Sequence, residues 1–214
     1  MVTPIVNERG HKLIYFLLLI GVLIAPTAAT VAFAWLFPDP AASLSDYVPL
    51  SSDEVLFWHQ IDTFREVGFN GGYYSINEVP AAAAFSHFYT KGPLFPALYG
   101  TAARLTGWQL DTGVTFNLIV VTLALAIFIA ITRPNHAQLI ALGLVIVTFW
   151  PLMSTIPLIM QEAFQSALAL ILAAIFYRIL NRAEPLSPIA LVTVTAFILL
   201  ASLVRGVTWA MLFA

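Results

Sequence analysis

Two adjacent carboxylates, Asp53 and Glu54, stand in "SSDEVLFWHQ" at residues 51–60, directly ahead of an aromatic run. A pair of acids at the mouth of an apolar chain can take a proton from a neutral substrate group, the work of a general base. The same residues have a purely structural use as well. Ser51 and Glu54 form the S-x-x-E pattern of a capping box, and Asp53 in a first helical turn sits well against the helix dipole. The two uses are compatible, because capping does not require Asp53: Glu54 caps and Asp53 reacts. A third acid, Glu162, lies inside an apolar block rather than in a polar loop, with Gln161 as its polar neighbour. An ionisable group within a span costs about 3 kcal/mol on insertion scales and is a functional candidate by default. A position one turn from the lipid boundary, where water relieves that cost, is the bland alternative.

Two cations complete the set. Lys91 in "FYTKGPLFP" is followed by glycine and proline, so the chain turns sharply there. Backbone amides near Gly92 can then join the ammonium around a phosphate, although neutralising lipid phosphates explains Lys91 equally well. Arg205 in "SLVRGVTW" closes the last apolar block, where it can hold an anionic group, pair with Glu162 or simply end a helix. His59 and His87 lack metal-ligand spacing, and Trp58, Tyr73 and Tyr74 suit an interfacial aromatic belt. The chain has no cysteine, which excludes disulfides, thiolate metal sites and a cysteine nucleophile.

The elements that must position these groups are greasy. The 214 residues are 60% hydrophobic and 9% charged, with a mean hydropathy of +0.91, against about 25% charged in soluble domains. A net charge of -2 offers no basic face for nucleic acid. The class is an all-α polytopic membrane protein, a single transmembrane module with about five transmembrane helices. The spans fall at 13–37, 112–132, 137–152, 157–177 and 186–204. Residues 137–177 cannot be one helix, because 41 residues interrupted by a single charge would reach about 60 Å, two bilayers thick. A hairpin resolves this, with Pro151 and Pro157 marking the turn. The first span competes with a cleavable signal peptide ending in "APTAAT", but its 25 residues exceed the roughly 7–15 of a signal core.

Residues 38–111 form a large first outer loop with interfacial juxtamembrane helices. In 51–68, Phe57, Ile61, Phe64 and Gly68 share one helical stripe, with Asp62, Arg65 and Glu66 elsewhere. "GFNGGYY" ends that helix, Pro80 opens a second, and 93–107 forms a third segment, re-entrant or interfacial. If that third segment crosses, everything after it inverts. With the N-terminus in the cytoplasm, Arg9, Lys12, Arg133, Arg178 and Arg182 gather on the cytoplasmic side. Nine of the eleven acids, including Asp53, Glu54 and Glu162, then lie outside. The expected location is the plasma (inner) membrane, with 38–111 extracytoplasmic.

In order and spacing these pieces resemble the N-terminal part of the GT-C superfamily of membrane glycosyltransferases, the polyprenyl-phosphate-sugar enzymes that include protein O-mannosyltransferases and aminoarabinose transferases. The matching features are the first span, Asp53-Glu54 at the start of a large outer loop, two juxtamembrane helices, the "KGPLFPALYG" turn, Glu162 opening a later span and Arg205 ending one. The resemblance implies transfer of a sugar from a lipid-linked phosphate donor to an acceptor hydroxyl on the outer face. Asp53 would be the base and Glu54 the second choice, Glu162 a second acidic site, and Lys91 or Arg205 would hold the phosphate. It fixes no cofactor, and a divalent cation is compatible. The implied partners are the lipid-linked donor, membrane lipids, and either a continuation beyond Ala214 or a partner chain, since such enzymes have about nine spans or more. Two other classes compete: a transporter or flippase component, which calls for polar groups deep in several spans, and a non-catalytic membrane assembly subunit.

Overall fold

The computed structural model describes residues 8–36, 52–70, 92–109, 111–181, 187–205, 209 and 212. Within them the chain is helical, with no strand. The helices are α1 (Glu8–Leu36), α2 (Ser52–Val67), α3 (Leu94–Thr106), α4 (Thr112–Thr132), α5 (His136–Thr148), α6 (Trp150–Met153), α7 (Gln161–Leu180) and α8 (Pro188–Ser202). Three contain stretches long and apolar enough to cross a membrane: Gly10–Phe33, Thr112–Thr132 and Gln161–Leu180. The shorter apolar helices α5 and α8 accompany them. These features fit a multi-pass membrane protein.

The boundaries follow local chemistry. Asn135 caps α5 reciprocally with Gln138, each side chain meeting the other's backbone N–H, and Ser187 caps α8 ahead of Pro188 at its first position. The largest shift from expectation lies in "WPLMSTIP". α5 stops at Thr148, and Pro151 does not mark the turn but opens the short α6. Proline fits there because a first-turn N–H has no helical partner to lose. The turn proper occupies 154–160, and the following helix starts at Gln161 rather than at 157.

Contacts fix the relative directions. α4 packs along α7, and α1 along α5. At one end of the bundle the His136 ring stands edge-on to His11 and Tyr15; at the other, Trp150 leans on Phe33. So α1 and the α5–α6 pair run side by side in the same sense. α2 and α3 form a separate layer, pressed together at Gly100, where a Cβ would come within 2.9 Å of the Ile61 carbonyl oxygen. Phe57, Ile61 and Phe64 of the stripe expected from the sequence are buried in that layer, whereas Gly68, its fourth member, lies past the end of α2 and is only partly buried. Phe57 meets Phe95 edge to face at 5.3 Å. Asp62 and Arg65 pair on the outward side. α3 packs along α2 rather than standing alone as a span. The expected helix from Pro80 and the residues Tyr73, Tyr74 and His87 lie outside the described residues.

Candidate functional site

Glu54 is the first surprise. It lies on the buried stripe of α2, one turn before Phe57, and is fully buried. Its Oε1 accepts the backbone N–H of Ile159 at 3.0 Å, across 105 residues of sequence. A buried carboxylate needs such partners, since transferring a bare charge out of water is far more costly than a neutral polar group. The Ser51 arm of the expected capping box lies outside the described residues. Whatever Glu54 does at its own helix, it also ties α2 to the chain three residues ahead of Glu162.

Asp53 is next to it in the first turn of α2 and only partly buried. Glu162 sits in the first turn of α7 with its side chain 35% exposed. Its Oε1 is 3.8 Å from Nη1 of Arg205, a loose ion pair, while its Oε2 is buried without a hydrogen-bond partner. Gln161 is almost fully buried, and its Oε1 is also unpaired. Arg205 follows α8 and is half exposed. Lys91 lies outside the described residues. Its neighbour Gly92 donates to Val204 O at 2.9 Å, and Leu94 N donates to Leu203 O at 3.0 Å. This two-bond backbone bridge joins the start of α3 to the residues just before Arg205. The starts of α2, α3 and α7 and the end of α8 therefore meet at one end of the bundle, and Asp53, Glu54, Glu162 and Arg205 are there.

That layer is anchored by groups the sequence reading passed over. Asn117, fully buried in α4, donates through Nδ2 to Ile156 O at 2.9 Å and Leu158 O at 2.7 Å. Its Oδ1 accepts from the Tyr99 hydroxyl at 2.7 Å. Burial raises the Tyr99 pKa above its ordinary range, because no solvent is there to support a phenolate. Arg104 reaches across to the last carbonyls of α2, Nε to Arg65 O at 2.7 Å and Nη2 to Phe64 O at 3.1 Å. It satisfies acceptors that a helix end leaves over. An asparagine in a span otherwise made of apolar residues and threonines was the available signal for Asn117, since polar groups inside apolar helices need partners.

The arrangement can receive a polar substrate at a partly exposed acid and a half-exposed arginine, with a buried acid holding the frame. His59 is exposed and stacked edge-on against Trp58. Among the described residues no three His, Asp or Glu side chains gather as a metal site. Comparison with protein-family models, with curated proteins and with solved structures finds no match.

Proposed function

We propose that this end of the bundle is the seat of a glycosyltransferase, which moves a sugar from a polyprenyl-phosphate donor to an acceptor hydroxyl on the extracytoplasmic face. Asp53 takes the acceptor proton, and Arg205 or Lys91 stabilises the phosphate that departs. Both ends of the reaction then have a counterpart: a neutral hydroxyl needs a base, and a leaving phosphate needs positive charge in a site of low dielectric. Glu54 is the framing acid rather than the base, because its Oε1 is already engaged by the Ile159 amide.

The observation that carries this reading is the meeting of α2, α7 and the end of α8 around Glu54, Glu162 and Arg205. Five passes, with the N-terminus inside and this end outside, form the matching topology. The test is Asp53→Asn in the protein expressed from its full reading frame, with radiolabelled polyprenyl-phosphate sugar as donor in isolated membranes. Transfer should fall at least 100-fold, the lower end of the range for general-base catalysis, with normal membrane insertion. Unchanged transfer removes Asp53 from the mechanism, and no transfer by the unaltered protein removes the sugar-transfer reading itself.

A further inference from the structure

The segment 154–160 is neither helix nor strand, yet every N–H it owns has an acceptor. Ser154 N bonds Trp150 O, Thr155 N and Ile156 N bond Leu152 O, Leu158 N bonds Thr155 O, and Met160 N bonds Leu158 O. Pro157 has no N–H to place. Ile159 N is left without a backbone acceptor, and the Glu54 carboxylate takes it. On the carbonyl side, Asn117 donates to Ile156 O and Leu158 O. Non-helical backbone in an apolar bundle survives only where other protein groups satisfy it, and here two distant side chains do so. The packing is equally close. Ile156 and Ile159 are completely buried, and a Cβ on Gly113 in the first turn of α4 would lie 2.6 Å from Ile159 Cγ1.

We infer that 154–160 is a pinned shelf, and that Asn117, oriented by Tyr99, is a positioning residue that sets where α7 begins and therefore where Glu162 stands relative to α2. The shelf leads directly into Gln161 and Glu162, so its two anchors determine the start of α7. Glu54 pins it from α2 and Asn117 from α4. Tyr99 fixes the asparagine amide by donating to Oδ1, which turns Nδ2 towards both carbonyls. α3 is thus coupled to the shelf through the Tyr99 and Asn117 side chains. This inference rests on the sugar-transfer reading only for taking Glu162 as a second acidic group of that site; the geometric part stands alone.

The absence of cysteine from the chain makes the test direct. Cysteines at Ser52 and Ser166, the first exposed and the second partly so, carry spin labels that report the separation of α2 from the second turn of α7. A control pair at Ile127 and Tyr177, both exposed, reports on the far part of α4 and α7. Asn117→Leu should broaden the first distance distribution and leave the control pair narrow. The detached population should rise roughly tenfold as the two carbonyls lose their donor. Asn117→Asp, which keeps the acceptor for Tyr99 but loses the donors, should behave like Asn117→Leu. Tyr99→Phe removes one bond and little volume, so it is the mildest of the three changes to the fold and should broaden the distribution less. A distribution unchanged in Asn117→Asp and Tyr99→Phe overturns the inference. Broadening together with a fall in transfer kcat and an unchanged donor KM supports the positioning role. Broadening in a protein that transfers no sugar leaves the shelf standing and sinks the sugar-transfer reading.

Discussion

Gly92 should be the least replaceable glycine among those described. A Cβ there would fall on the Leu203 carbonyl group and within 3.1 Å of Leu203 Cα. The obstacle is backbone, so no rotamer change relieves it. Gly92→Ala must therefore push the start of α3 away from Leu203, and both bonds of the bridge, 2.9 and 3.0 Å long, go with it. Each is worth about 1 kcal/mol net, and a buried group left unpaired adds about 1–3 kcal/mol, so the expected loss is about 3–5 kcal/mol. On the scale of soluble chains of this size, about 2–4 °C per kcal/mol, the unfolding midpoint drops by roughly 6–20 °C. The assay is thermal unfolding of detergent-solubilised protein, beside Gly21→Ala as a control. A Cβ at Gly21 meets nothing within 4 Å, and alanine is the better helix former by about 1 kcal/mol, so the control should match or exceed the unaltered protein. If Gly92→Ala unfolds at the same temperature as the control, the bridge beside Arg205 does not hold this end together.

Tyr99→Phe should lose about 1 kcal/mol, the net worth of a buried hydrogen bond, and should also change the alkaline limb of the stability curve. Burial raises the folded-state pKa of Tyr99, whereas the unfolded chain ionises it near about 10. Its contribution is therefore whole below that pH and is lost above it, as the unfolded state alone releases the proton; thermal unfolding of the phenylalanine variant should fall less steeply over the same pH range. Arg104→Met keeps the stem but drops both bonds to the end of α2. The site is exposed, so the loss should be only about 0.5–1.5 kcal/mol, visible as faster amide exchange in the last turn of α2 with exchange in α4 unchanged. Protected amides throughout α2 in that variant would show that Arg104 is not its cap.

Much of this architecture is written in local pattern. The apolar stretch at 112–132 forms the helix α4, Thr112–Thr132, because an uninterrupted apolar run in lipid can satisfy its backbone only as a helix. The stripe of Phe57, Ile61 and Phe64 is the buried face of α2, because helical period and burial are both read from spacing. The hairpin needed by 137–177 is also present, although its turn lies at 154–160, since proline opens a helix as readily as it ends one. What spacing cannot reveal is which distant groups meet. Glu54 looks like a cap from its neighbours, and only the fold gives it Ile159, 105 residues away. Asn117 meets Ile156 and Leu158 at separations of 39 and 41 residues, and Gly92 meets Val204. Such pairings depend on how whole helices pack, and a hydrogen-bonding group carries no record in its own sequence of the partner that burial will force upon it.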